Sequence, residues 1–299
     1  MLAGIQYFLA SWWKRLIAIP FVGIFSFISL GILFSNFLGI SGNDPFFIES
    51  LLALAIVLFL TFIIESLRKR SNLSLAGFNL DRYTTKHLIE GFFIVVAIII
   101  TTLVFLASFG SEFSINHEVD PEFLLENFLL ILFAASFEEI LFRGIIMQTL
   151  IERYNPYLIT ILISLGFAYA HIDNPNLNEI GLINIFLAGV LLNLMYIKTR
   201  SLWLPISFHF FWNYFLNLLL DSPVSGIDFG QNLIHTDYEQ MPVWLFGGDF
   251  GLEGGLLASI FLLASIVYVA KYSTFSPYIA SKLFRREYEE SKLLGSKGI

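Results

Sequence analysis

The chain has 299 residues, of which 57% are hydrophobic and only 14% charged, with 33 Phe and a mean hydropathy of +0.75. An apolar share this high excludes an ordinary soluble domain, and a net charge of −7 without any basic patch excludes a nucleic-acid partner. The absence of Cys excludes disulfides, thiol nucleophiles and Cys metal sites.

A hydrocarbon core of ~30 Å takes ~20 helical residues, and the apolar runs predict an all-α, polytopic membrane helical bundle with about eight transmembrane helices. In chain order, residues 1–13, with Trp12 and Trp13, predict a helix lying in the membrane interface. The first span, 16–40, follows Lys14-Arg15. It is too long for the apolar region of a signal peptide and has no small-residue cleavage site, so it is expected to be retained. Further spans are expected at 49–67, 87–109, 123–150, 157–174, 180–197, 202–220 and 252–270. Breaker-rich stretches separate them, among them Ser41-Gly42-Asn43-Asp44-Pro45 and Asp173-Asn174-Pro175-Asn176. The long loop 221–251, with Trp244, either gates a site or lies on the membrane. The tail from Ser281 mixes Lys, Arg and Glu and is expected to be solvated. No repeat and no soluble second unit is visible, so residues 1–299 read as a single integral membrane domain.

The basic residues fit this layout. Lys14 and Arg15 precede the first span. Arg68, Lys69, Arg70, Arg82 and Lys86 lie between the second and third, Arg143 and Arg153 at the end of the fourth, Lys198 and Arg200 between the sixth and seventh. Lys271 and the rest follow the eighth. The alternate loops carry Asp44, Glu112, Glu118, Asp120, Asp173, Asp228, Asp237 and Glu239 instead. The positive-inside rule then predicts an even number of spans with both termini cytoplasmic. The Phe/Ile-rich loops suggest a prokaryotic cytoplasmic membrane, with membrane lipids as the surroundings.

Glu138 and Glu139 lie inside the apolar fourth span, in the string Phe137-Glu138-Glu139-Ile140-Leu141-Phe142-Arg143-Gly144. A carboxylate at bilayer depth costs at least ~2.5–3.5 kcal/mol, so the default reading is a functional site. If the fourth and fifth spans are antiparallel about Tyr154-Asn155, Glu138 and His171 each lie roughly 24 Å along a helix from the turn, at similar depth. His209 and Asn213, spaced i, i+4 on the seventh span, share one helix face roughly 13–20 Å in from Arg200. Three helices thus deliver Glu138, His171, His209 and Asn213 to one level. Glu139 and Arg143, also i, i+4, make a structural or substrate-anchoring ion pair. Phe167 sits one turn before His171.

The pattern Glu138-Glu139-x-x-x-Arg143, Phe167-x-x-x-His171 and His209-x-x-x-Asn213 resembles the three motifs of the CAAX prenyl protease and bacteriocin-processing family, over about residues 120–220. The resemblance implies an intramembrane glutamic endopeptidase. It implies that Glu138 and His171 hold the attacking water and that His209 and Asn213 stabilise the oxyanion. It implies a peptide or lipidated-protein substrate, a prenylated CAAX-type one among them.

The chemistry of the residues is compatible with that. Peptide hydrolysis needs a water activated by a base and donors for the developing oxyanion, each donor contributing about 3–4 kcal/mol in a well-measured protease. Other readings stay open at this stage. Zinc held by Glu138, His171 and His209 is the rival to a metal-free site, although no H-E-x-x-H helix is present. A Glu-Glu-Arg cluster can be a structural ion-pair knot in a non-catalytic immunity or partner protein, and buried Glu, His and Arg also line transport paths. Asn184, Asn193, Gly181 and Gly189 on the sixth span suit close helix packing. His87, His117 and His235 are given no role.

Overall fold

The computed structural model describes residues 45–67, 76–78, 80–151 and 154–272. The expected interfacial helix at 1–13, the first span at 16–40, the tail from Ser281, and the bases Lys14, Arg15, Arg68, Lys69, Arg70 and Arg153 lie outside these residues.

Local sequence decides where the helices begin. Asp120 precedes Pro121 and accepts a hydrogen bond from the Glu122 N–H at 2.9 Å; Asn155 precedes Pro156 and accepts from Tyr157 N–H at 2.9 Å. Asn178 accepts from Gly181 N–H at 2.7 Å. Each satisfies an amide that a helix start leaves without a partner, and proline at the first position loses nothing there. Among the described residues the long helices are α1 (Pro45–Leu67), α2 (Thr84–Ser108), α3 (Pro121–Glu139), α4 (Pro156–Ala170), α5 (Glu179–Thr199), α6 (Trp203–Leu220) and α7 (Leu256–Tyr272). They correspond to the second through eighth expected spans. α2 and α5 are long and apolar enough to cross a membrane by length and composition. The apolar stretches Ser50–Ile63, Pro156–Ala170 and Leu256–Tyr272 are shorter.

Three features differ from expectation. The expected fifth span to 174 stops at Ala170, because His171 leaves the helical region and Asn174-Pro175 turns the chain. The eighth helix starts at Leu256 rather than 252, after a run of glycines. The all-α class also has an exception: β1 (Phe113–Ile115) and β2 (Ile234–Thr236) pair antiparallel, Ser114 opposite His235. Two loops assigned to the same side meet there and pair the facing edges of their backbones.

Packing separates two ends. At one, Leu202 N–H donates to Gly77 O at 2.9 Å and Lys198 Nζ to Ala270 O at 2.8 Å, gathering the segments with Arg82, Lys86, Arg200 and Lys271. At the other, Ser111 Oγ donates to Asp237 O at 2.7 Å and Asn174 Nδ2 to Ser225 O at 3.0 Å, gathering the loops that carry the acidic residues. Between the ends, small residues let helices touch. A Cβ on Gly91 of α2 would lie 2.8 Å from Phe208 N on α6, and one on Gly189 of α5 would lie 3.0 Å from Ser164 Cα on α4. The largest apolar core joins α2, α5, α6 and α7 around Leu106, Leu191, Met195 and Leu216.

Candidate active site

α3 ends at the two glutamates and runs on without a break into a π-helical stretch, Ile140–Met147, and a last α-turn, Gln148–Ile151. π-turns are rare and recur at functional sites. This one starts at the residue after Glu139 and contains Arg143. No feature of the sequence announced it.

The two carboxylates have different surroundings. Glu139 and Arg143 are both fully buried, with Arg143 NH1 donating to Glu139 Oε1 at 2.8 Å. A guanidinium cut off from water needs all its donors used. Arg143 Nε donates to Asn193 Oδ1 at 2.9 Å, NH2 reaches Gly189 O at 3.4 Å, and the guanidinium carbon lies 4.7 Å over the Phe167 ring. Asn193 passes the network on, donating to Thr160 O and Ser164 Oγ, both at 3.1 Å. The ion pair therefore knits α3, α4 and α5 together. With both side chains fully buried, the pair offers no exposed surface, which favours the structural reading over the substrate-anchoring one.

Glu139 has a second partner. His209 Nδ1 lies 2.9 Å from the same Oε1. The carboxylate, already held by Arg143, acts as acceptor, so Nδ1 carries the proton and Nε2 is turned away from it. His171 is oriented in the same manner by backbone. It caps α4, and its Nδ1 lies 2.8 Å from Phe167 O, which can only accept. Both imidazoles thus present Nε2 to one point.

That point is Glu138. Its Oε2 is 4.0 Å from His171 Nε2 and 4.0 Å from His209 Nε2, and it is buried without a hydrogen-bond partner among the described residues. A separation of 4.0 Å is too long for a direct hydrogen bond and suits a single bridging water. The Glu138 side chain is 27% exposed, against none for Glu139.

Asn213, one turn beyond His209, borders a cavity of about 40 Å³ together with Phe167, His171 and His209. That volume holds a few waters. Glu138 is not in its wall. Phe167 packs at the centre, its ring centroid 4.6 Å from that of His171 and 6.3 Å from that of His209. All seven residues picked from the sequence lie in this one neighbourhood. Asn193, read as a packing residue, is the central link of the buried network. Its signal was an amide four residues from Gly189 on an apolar helix. Among the described residues, no group of three His, Asp or Glu side chains is arranged to hold a metal ion.

A helical protein in which one carboxylate faces two backbone- and carboxylate-oriented imidazoles has the parts of a water-activating hydrolase. Residues 120–215 match the family described as Type II CAAX prenyl endopeptidase Rce1-like. The match spans about a third of the 299 residues, and it contains Glu138, Glu139, Arg143, Phe167, His171, His209 and Asn213. The resemblance read from the three motifs therefore holds over this segment, and it supports a protease of the CAAX type in a membrane setting as the general class. No curated protein matches the chain.

Proposed function

We propose that this protein is an intramembrane glutamic endopeptidase that cleaves a membrane-associated peptide or lipidated protein, a prenylated CAAX-type substrate among them. The observation that carries the reading is the convergence of Glu138 Oε2 with two imidazole Nε2 atoms at 4.0 Å each. With both Nδ1 atoms engaged, the Nε2 of neutral His171 is an acceptor. A water donating one proton to Glu138 and the other to His171 keeps a lone pair for the substrate carbonyl carbon. As the C–O bond forms, Glu138 takes the proton and the carbonyl oxygen becomes an oxyanion. The Asn213 amide and the Nε2–H of protonated His209 donate to that oxygen. Collapse of the tetrahedral intermediate breaks the C–N bond, and Glu138 returns its proton to the leaving amine.

Nothing in this sequence of steps requires a metal. Two supports favour the membrane setting: the apolar α2 and α5, and the absence of Lys and Arg from the loops around 110–122, 172–179 and 221–251. The eight-span layout in a prokaryotic cytoplasmic membrane, with both termini cytoplasmic, is part of the same proposal.

The test is purified full-length protein in proteoliposomes, with prenylated and unprenylated peptides and product identification by mass. Glu138→Gln should lower kcat by about 10³-fold or more with KM little changed, and a chelator should leave the wild-type rate within about twofold. Equal cleavage by wild type and Glu138→Gln would overturn the assignment. Loss of activity on chelation, restored by zinc, would move the mechanism to the metal.

A further inference from the structure

The cavity beside the histidines has another wall. It is bounded by Glu253, Ser225, Trp212 and Asn184, all but Asn184 and Trp212 from the segment that follows α6. Glu253 lies outside the part of the chain matched by the family. Among the described residues its carboxylate has no basic partner and is held by neutral donors. Trp212 Nε1 donates to Oε1 at 2.8 Å; Ser225 N–H donates to Oε2 at 2.6 Å and Ser225 Oγ at 3.0 Å. Its carbonyl accepts from Asn184 Nδ2 on α5 at 2.7 Å.

We propose that Glu253 is a positioning residue of this site: it clamps Trp212, on the face of α6 that carries His209 and Asn213, to the segment around Ser225, and so fixes the wall that closes the cavity. The clamp rests on three observations. Trp212 is three residues after His209 and next to Asn213, so fixing its ring fixes the rotation of that turn. The indole is buried and stacks on Phe208 at an interplanar angle of 16°, leaving its N–H dependent on Glu253. The backbone around Glu253 is built to bring one carboxylate inward. A Cβ on Gly251 (φ 88°) would lie 2.1 Å from Pro223 O, and one on Gly255 would lie 2.1 Å from Leu245 O. Only glycine lets these strands of chain approach so closely. The same segment interlocks with the turn after His171, where Asn174 donates to Ser225 O and a Cβ on Gly226 would lie 2.0 Å from Pro175 O. The run Gly251-Leu252-Glu253-Gly254-Gly255, which helix formation does not explain, thereby acquires a purpose: it delivers a carboxylate between two helices and a loop.

The activity arm of the test rests on the peptidase reading, so a second arm does not use activity. The chain has no Cys, and Ala188→Cys places a single thiol in the cavity wall. Its labelling by a charged, water-soluble thiol reagent in detergent reports how open the wall is. Removing the Glu253 carboxylate leaves buried N–H groups without acceptors, so Glu253→Ala should speed labelling by about tenfold or more. Trp212→Phe, which removes one donor and keeps the ring, should act in the same direction. With a cleavable peptide, Glu253→Ala should lower kcat by about 10- to 100-fold with KM within about threefold, and Glu253→Gln should restore part of it. If labelling is faster in the variants but no form of the protein cleaves any peptide, the clamp stands and the peptidase reading fails. If labelling is unchanged in both Glu253→Ala and Trp212→Phe, with both folded by size-exclusion chromatography, the clamp is overturned.

Discussion

Glu138 and Glu139 are neighbours in the chain with divided labour. Glu139 spends Oε1 on Arg143 and His209 together, at 2.8 and 2.9 Å, while Glu138 Oε2 has no hydrogen-bond partner among the described residues. In the proposed reaction one glutamate orients and the other reacts. Glu139→Gln removes the carboxylate paired with protonated His209 and can turn an N–H toward its Nδ1, and the expected result is a fall in kcat of about 10²-fold or more, read in steady-state kinetics with KM as the control. The stability effect of the buried pair is separable. Arg143→Met alone strands a buried carboxylate and should cost about 3–5 kcal/mol, whereas Glu139→Leu combined with Arg143→Met should cost less than the two single changes summed. Thermal unfolding in one detergent compares the four proteins; additive losses would mean that the pair is not coupled. The sequence made the spacing of Glu139 and Arg143 legible, because i, i+4 on a helix is local geometry. That His209 would share the same oxygen was not legible, since it depends on how α3 and α6 pack.

At the level of elements, the site exists because α3, α4, α5 and α6 approach closely and α4 stops where chemistry is needed. α4 ends at Ala170, so His171 can fold its ring back onto the Phe167 carbonyl. Small residues set the approach. Gly91→Ala on α2 forces a Cβ to 2.8 Å from Phe208 N and should destabilise by about 1–3 kcal/mol. Gly166→Ala on α4, where a Cβ meets nothing within 4 Å, should be neutral or stabilising by up to about 1 kcal/mol. Melting temperatures of the two variants test this together, and equal effects would contradict the packing. Helix starts at Pro121, Pro156 and Glu179 fall within two residues of the expected 123, 157 and 180, and the side chains of Asp120, Asn155 and Asn178 cap them locally. The π-turn from Ile140 was not, because an apolar string such as Ile140–Met147 accommodates α or π hydrogen bonding equally.

For the whole molecule, the segments with Arg82, Lys86, Arg200 and Lys271 gather at one end and the loops with Glu112, Asp228 and Asp237 at the other, and the proposed eight-span layout takes the first end as cytoplasmic. The absence of Cys makes the topology directly measurable. Glu118→Cys and Arg82→Cys should react with a membrane-impermeant reagent from opposite faces of sealed vesicles. Reaction from the same face would remove the proposed layout while leaving the site geometry intact.

Periodicity and breakers are one-dimensional properties, and they determined the helical class and the approximate helix limits, while buried polar residues, i, i+4 spacing and the motif resemblance singled out Glu138, Glu139, Arg143, Phe167, His171, His209 and Asn213 as candidates. What each group does to the next is a matter of distances of 3 to 4 Å between helices far apart in sequence, and only the tertiary structure decided it. Packing sealed Glu139 with Arg143 and left Glu138 facing two Nε2 atoms at 4.0 Å. It made Asn193 the centre of a buried network and drew in Glu253, which the sequence placed at the start of the eighth expected span. The reason is physical: a buried polar group must find its partner wherever the fold brings one, and sequence spacing records that partner only when it lies on the same helix.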